Sequence, residues 1–133
     1  MTPDNQRPLP QETLMEEEVL SAMMVDAHCL KDVLNELKAV DFYKESHRII
    51  YETISELARK GEPVDLPSVA GRLYGKLDEY GGVSCVSKIV NGSPSPNIAS
   101  HCKRIKAAAA QREIIFKTHD FLNTAYNSDL ESI

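Results

Sequence analysis

The stretch Asp41–Leu73 reads DFYKESHRIIYETISELARKGEPVDLPSVAGRL, and it decides the fold of this chain. Ile50, Ile54 and Leu57 recur at three- and four-residue spacing, so residues 44–60 are predicted to form a helix with one apolar face. The other sides of this helix carry charged residues, so only the apolar face is expected to enter the core.

The same stretch contains the end of that helix and the start of the next. Gly61 follows the last periodic residue, at a position where a left-handed cap favours glycine. Pro63 cannot continue the helix, Asp65 can cap the following one, and Pro67 fits its first turn. The sequence therefore predicts a helix, a sharp turn and a second helix over Leu66–Tyr74.

Composition limits the class of protein. The 133 residues are 42% apolar and 26% charged, which is ordinary for one globular domain. The net charge of −5 argues against a broad basic surface that neutralises nucleic-acid phosphates. No apolar run is long enough to cross a bilayer, and the N-terminus lacks the apolar segment of a signal peptide. A cytoplasmic protein with reduced cysteines and no membrane partner is expected.

Further helices are predicted on both sides of the central pair. An amphipathic helix is expected over Gln11–Val25, and its acidic residues, Glu12 and Glu16–Glu18, are interpreted as a solvated face that suits the helix dipole. Leu30–Leu37 is predicted to form a short helix. Val83–Val90 is also predicted to be helical, although its β-branched residues are nearly as typical of a strand.

These segments divide the chain into three parts. Residues 1–10 contain three prolines and little apolar content, so they are expected to form a flexible arm. Residues 11–92 are predicted to form a compact all-α head of about five helices. The Gly- and Pro-rich sequence at residues 91–96 marks the boundary, and residues 93–133 comprise the rest of that loop and one long helix.

The long helix is predicted over Asn97–Tyr126, and its apolar residues fall on two nearly opposite faces. The first face carries Ile98, Cys102, Ile105, Ala109 and Phe116. The second face carries Ala107 and the five candidate self-association residues named at the end of this paragraph. We expect the first half of the helix to lie on the head and the second half to meet another copy or sequence outside this chain. The candidate self-association residues are Ile114, Ile115, Phe121, Leu122 and Ala125.

No catalytic or metal-binding constellation is expected. Gly71–Leu77 has too few residues between its glycines, no hydroxyl after its lysine and no preceding strand, so it is not a phosphate-binding loop. The His-Cys pairs at residues 28–29 and 101–102 would point about 100° apart on a helix and converge poorly on one metal. His47 is interpreted as structural, because local spacing places no acid, serine or cysteine beside it. No cofactor is expected in this chain.

The long helix also carries the one basic concentration in the sequence. Its members are Lys103, Arg104, Lys106, Arg112 and Lys117. They are interpreted either as a solvated face or as a contact for an acidic partner or nucleic acid. The turn at Gly61–Asp65 can be mistaken for a helix-turn-helix motif, but the following helix offers few basic residues to a groove. A free-standing helical DNA-binding regulator or adaptor stays open as the alternative function.

Several short segments occur in a specific order along the chain. They are Leu9-Pro10, Glu18–Leu20, Asp41–Tyr43, His47–Tyr51, Gly61–Leu66, Gly81-Gly82, Asn97-Ile98, Ile105 and Arg112. In this order and spacing the sequence resembles the N-terminal domain of replicative DNA helicases of the bacterial DnaB type, including phage relatives. Two positions depart from the family pattern: Ser21 stands where relatives usually have Gly, and His101 where they usually have Tyr.

The resemblance implies an all-helical head followed by a helical hairpin, of which this chain contains the first helix. Hairpins would pair between subunits, so that six chains form a collar of dimers. The implied partners are a DnaG-type primase and, in addition, a helicase loader. ATP, Mg²⁺, unwinding and most DNA contacts would belong to a C-terminal RecA-like motor outside this chain, so the chain itself is not expected to be an enzyme.

Overall fold

The computed structural model describes residues 7–82, 84–90 and 96–128, and within these ranges the chain contains α-helices and 3-10 turns but no strand. The helices are Thr13–Val25 (α1), Ala27–Glu36 (α2), Glu45–Arg59 (α3), Leu66–Leu73 (α4), Ser84–Val90 (α5) and Ile98–Asn127 (α6). The 3-10 turns are Ala39–Asp41 and Asp78–Tyr80. The predicted all-α class is confirmed, and residues 84–90 are helical.

Three parts of the sequence predictions lie outside the described residues. They are most of the arm at residues 1–6, most of the boundary loop at residues 91–95, and the end of the third part at residues 129–133. Leu9 and Pro10 belong to the stretch that was predicted to be a flexible arm, but both are half-buried. The chain therefore contacts the rest of the protein from Leu9 onward. None of the described helices is both long and apolar enough to span a membrane.

The ends of α3 and α4 follow the signals in the sequence. Gly61 has a φ of 72°, and the Glu62 amide donates to the Leu57 carbonyl at 2.9 Å, which closes α3 with a left-handed cap. The Asp65 carboxylate accepts from the Ser68 amide at 2.9 Å and caps α4. The predicted helix, turn and helix are therefore confirmed with their capping residues.

One core joins all six helices, and α1 packs against α2, α3, α5 and α6. Its largest fully buried apolar side chains include Leu20, Met23, Leu37, Phe42, Ile50, Ile54, Leu73, Leu77 and Ile105. Burying one such side chain contributes about 1.5–3 kcal/mol relative to leaving it exposed. The head is therefore held together mainly by apolar contacts around α1.

The start of α2 differs from the sequence prediction. This helix begins at Ala27 instead of Leu30. The Asp26 carboxylate accepts from the amides of His28 at 2.8 Å and Cys29 at 3.4 Å, so Asp26 caps the helix. Hydrophobic spacing marks only the part of a helix that enters the core, and the exposed first turn of α2 lies outside that pattern.

Candidate self-association surface

The long helix α6 has two halves with different surroundings. Its first half packs on α1, α2 and the 3-10 turn at residues 39–41. The buried residues of α6 are Ile98, Cys102, Ile105, Ala108 and Arg112. Among the described residues beyond Arg112, none of the helix is buried, and Leu122 is half-buried. The helix therefore leaves the head at Arg112.

The half of α6 beyond the head carries large apolar side chains in water. Ile114 is 64% exposed and Phe121 is 75% exposed. At 100° per residue, Ile114, Phe121 and Ala125 share one face of the helix, and Ile115 and Leu122 flank it. We call these five residues the distal face. The structure thus places all five predicted self-association residues together and outside the core.

Two further aromatic residues of the distal half differ from the sequence predictions. Phe116 was predicted to lie on the head-facing stripe, but it is 53% exposed because the head ends one turn earlier, at Arg112. Tyr126 was not singled out, and it is 72% exposed. Tyr126 stands four residues after Leu122, so it extends the distal face toward the end of the helix.

Arg112 was interpreted either as part of a solvated basic face or as a contact for an acidic partner or nucleic acid, and its burial contradicts both interpretations. Its side chain is 5% exposed. Nη1 donates to the Pro10 carbonyl at 2.8 Å, and Nη2 donates to the Asp41 carbonyl at 2.9 Å. The guanidinium carbon lies 5.3 Å from the centroid of the Tyr43 ring. Burial lowers the pKa of Arg112, and the nearby Glu16 carboxylate opposes this shift.

The other four basic residues of α6 lie at the surface. Lys103 is exposed, Arg104 pairs with Glu12 at 3.2 Å, Lys106 donates to the Glu36 carbonyl at 2.8 Å, and Lys117 pairs with Glu113 at 2.8 Å. Exposed ion pairs are weak, so these cations stay accessible, and their contact with a partner stays a prediction. Since carboxylates stand among them, they do not form a continuous basic patch of the kind a DNA-binding regulator needs.

Glu16 was interpreted as part of a solvated acidic face, and this is also wrong. Its side chain is 1% exposed. Oε1 lies 2.7 Å from Nδ1 of His47, and Oε2 accepts from the Tyr43 amide at 2.8 Å. His47 is also 1% exposed, and the acid beside it comes from a residue 31 positions earlier in the chain, which local spacing did not place there.

The sequence does contain a signal for the burial of Glu16. Val19, Leu20 and Met23 follow it at three, four and seven residues, which places all four on one helix face. Those three apolar residues are at most 1% exposed. A carboxylate in the apolar stripe of an amphipathic helix predicts a buried acid with a partner. The spacing alone does not identify His47 as that partner.

A helical head from which one long helix projects with an apolar face has the architecture of an interaction domain. Residues 8–107 match the family model for the DnaB-like helicase N-terminal domain. The match covers most of the chain, so the chain belongs to the family of DnaB-like helicase N-terminal domains. The family predicted from the sequence motifs is thereby confirmed.

Curated relatives of this chain are replicative helicases. The replicative DNA helicase DnaB of Mycobacterium leprae is 32% identical over 103 residues, which are 76% of this chain and 17% of that protein. The replicative DNA helicase DnaC of Bacillus subtilis is 34% identical over 114 residues, which are 84% of this chain and 25% of that protein. The chain thus spans a quarter or less of the length of these two relatives.

Solved structures share the fold. The N-terminal domain of DnaB helicase from Mycobacterium tuberculosis matches with a TM-score of 0.85 at 26% identity, over 94% of this chain and 92% of that chain. The N-terminal domain of DnaB helicase from Helicobacter pylori matches with a TM-score of 0.77 at 23% identity, over 86% and 91% of the two chains. A DnaB-like replicative helicase matches with a TM-score of 0.72 at 23% identity, over 91% and 29%. The last two structures are described together with their interactions with primase.

Proposed function

We propose that this chain is the assembly and partner-docking domain of a replicative hexameric DNA helicase. The observation that carries the proposal is the distal face, an apolar surface on the half of α6 that the head does not cover. The proposed cover is the distal face of a second copy, which joins subunits in pairs and, in the whole protein, contributes to a six-membered collar. Such contacts persist while the motor subunits change conformation, and so hold the ring together on a DNA strand.

Concentration-dependent sedimentation of the chain tests the assembly part of this proposal. A weight-average mass that rises from monomer toward dimer with concentration is the expected result. A mass that stays monomeric at all accessible concentrations would contradict self-association through α6. The distal face lies outside the core of the head, so the head should be folded whether or not the chain self-associates. Circular dichroism of the same samples checks that the chain is folded.

The proposed collar domain has no catalytic activity of its own. In this proposal, ATP and Mg²⁺ bind to a RecA-like motor outside this chain, and unwinding and most DNA contacts take place there. The Gly71–Lys76 segment supports this division, because Gly71 lies inside α4 and Gly75 lies in the turn after it, whereas a phosphate-binding loop follows a strand. Calorimetric titration with ATP and Mg²⁺ should give no heat of binding, and micromolar affinity would contradict the division.

The proposed partners beyond a second copy are a DnaG-type primase and a helicase loader. The primase is supported by two structural relatives that are described with their interactions with primase. Gel filtration of the chain mixed with a DnaG-type primase tests this part, and co-elution is the expected result. If the two proteins elute separately while the chain still self-associates, the docking role fails and the assembly role stands.

A further inference from the structure

We infer that Arg112 is a positioning residue that fixes the direction in which the distal half of α6 leaves the head. Only the use of the distal half in self-association rests on the proposed function. The geometry around Arg112 carries the rest, since this side chain is the last buried one along α6.

One guanidinium group joins three segments of the chain. Its two acceptors are the Pro10 carbonyl, in the segment before α1, and the Asp41 carbonyl, at the end of a 3-10 turn. These acceptors lie 102 and 71 residues from Arg112 in the sequence. A planar guanidinium presents several N–H groups in a rigid arrangement, so it can hold both carbonyls and thereby fix its own orientation. A lysine ammonium lacks that rigid fork.

The surroundings of the guanidinium are part of the rigid head. Its carbon lies 5.3 Å from the centroid of the Tyr43 ring, and the Tyr43 amide donates to the buried Glu16 carboxylate. Glu16 also contacts His47 at the start of α3. The Glu16 charge favours the charged guanidinium, which burial alone disfavours. The exit of α6 is therefore tied to α1 and α3 through a polar cluster.

The apolar contacts of α6 end at Ala108, one turn before Arg112. Ile98, Cys102 and Ile105 attach the first half of the helix to the head through non-directional apolar burial. Hydrogen bonds weaken steeply when their angles change, so the two bonds from Arg112 resist rotation and tilting at the point of exit. In a pair of copies joined through their distal faces, this direction determines where each head lies relative to the other.

Hydrogen exchange on the Arg112→Met variant tests the inference. Methionine keeps an unbranched apolar stem but removes the charge and the donors. Amides of residues 109–116 should exchange about tenfold faster or more, since bonds from a charged donor are lost there, while amides of α3 keep their protection. Arg59→Met is the matched control, because Arg59 is an exposed arginine in the last turn of α3. It should leave exchange at residues 109–116 unchanged.

A second variant keeps the test decisive if Arg112→Met fails to fold. Arg112→Lys retains a positive charge near Glu16 but not the planar fork, so it should fold and show the same local acceleration to a smaller extent. Removal of residues 1–10 takes away the Pro10 acceptor, so the effects of this truncation and of Arg112→Lys should be non-additive.

Several outcomes would overturn the inference. Equal acceleration in α3 and α6 would show that Arg112 stabilises the head as a whole, and no acceleration in either variant would show that it constrains nothing. Sedimentation of the parent chain measures self-association and does not depend on hydrogen exchange in the Arg112 variants. A parent chain that stays monomeric contradicts the proposed function, whereas local acceleration in the variants still supports the positioning role.

Discussion

Nδ1 of His47 lies 2.7 Å from Oε1 of Glu16, and each residue is 1% exposed. Glu16 belongs to α1 and His47 to the first turn of α3, so the contact joins two helices that are distant in sequence. An ionised carboxylate can only accept hydrogen bonds, so His47 donates from Nδ1 to Glu16. The second carboxylate oxygen accepts from the Tyr43 amide at 2.8 Å. The buried acid is thus paired on both oxygens, as burial of such a group requires.

Replacement of Glu16 should destabilise the head strongly. Glu16→Ala leaves the His47 and Tyr43 donors and the Arg112 charge without their acidic partner, so the free energy of unfolding should fall by about 3–5 kcal/mol. Glu16→Gln keeps the shape and one acceptor, and should cost roughly 1–3 kcal/mol. Urea denaturation measures both. Glu17→Ala is the control at a half-exposed neighbouring residue, and equal losses at both sites would contradict the role of the buried pair.

Alkaline pH should lower stability through two buried groups. Burial, helped by the charges of Asp41 and Cys102, raises the pKa of Tyr51 from 10.0 to about 12. Burial is also the main cause that raises the pKa of Cys102 from 9.0 to about 11. Both pKa values are higher in the folded chain than in the unfolded chain. Their contribution to stability is therefore complete below about pH 9 and is lost as the pH rises through about 11–12.

Tyr51→Phe separates the tyrosine from the cysteine in this pH dependence. The variant loses the hydrogen bond from Tyr51 to the Leu37 carbonyl, which should cost about 0.5–1.5 kcal/mol at neutral pH. Its stability should fall less steeply than that of the parent between pH 10 and 12, because phenylalanine does not ionise. Thermal melting at a series of pH values measures the difference. Tyr74→Phe, at an exposed residue, should change neither quantity, and an identical slope for Tyr51→Phe and the parent would contradict the assignment.

Two glycines should respond to alanine with opposite signs. Gly61 has a φ of 72°, so Gly61→Ala strains the cap of α3 and should lower stability by about 1–2 kcal/mol. Gly71 lies inside α4, and apart from its chain neighbours and the backbone of its own helix no heavy atom lies within 4 Å of an added Cβ. Gly71→Ala should therefore raise stability by about 0.4–1 kcal/mol. Thermal melting of both variants measures the signs, and stabilisation by Gly61→Ala would contradict the left-handed cap.

The helices of this fold could be predicted from the sequence because their signals are local. Apolar spacing in α3, the glycine after it and the aspartate before α4 each act over a few residues, and the structure follows all three. The exposure of the distal face was also predictable, since the two faces of α6 differ in direction and one head can cover only one of them.

The polar cluster at the exit of α6 could not be predicted in the same way. The acceptors of Arg112 are main-chain carbonyls 71 and 102 residues away, and the sequence pattern does not mark them. Four surface cations on the same helix made Arg112 look like one more member of a solvated basic face. Burial of a charge is decided by partners that only the tertiary fold brings together, as with Glu16 and His47.

Single-stranded DNA should bind this chain weakly and without sequence preference. The net charge is −5, and the accessible cations of α6 lie among carboxylates. Charge reversal at the three residues Lys103, Arg104 and Lys106 should remove any binding detected by fluorescence anisotropy at low salt. Reversal of Arg59 and Lys60, which are exposed at the end of α3, is the control and should reduce binding less. A complex that persists at physiological salt would instead favour a DNA-binding regulator.

The distal face should be required for self-association and dispensable for folding of the head. Ile114 and Phe121 share one side of α6 and are 64% and 75% exposed, so covering them with a second copy should contribute roughly 1.5–3 kcal/mol each. The double variant Ile114→Asp with Phe121→Asp places two like charges in the proposed contact and should leave only monomer in sedimentation. The melting temperature measured under dilute, monomeric conditions should stay near that of the parent, since neither residue packs in the core.

A matched variant shows whether the position or the number of the new charges causes the loss of self-association. Asn123→Asp with Asn127→Asp adds the same net charge on exposed positions of α6 that lie on the side of the helix opposite Ile114 and Phe121. This variant should keep self-association, because its charges stay in water when two distal faces meet. If both double variants dissociate equally, general repulsion explains the loss and the distal face is not the contact. If the Ile114 and Phe121 variant instead melts at a much lower temperature as a monomer, these residues pack against the head, and the division of α6 at Arg112 is wrong.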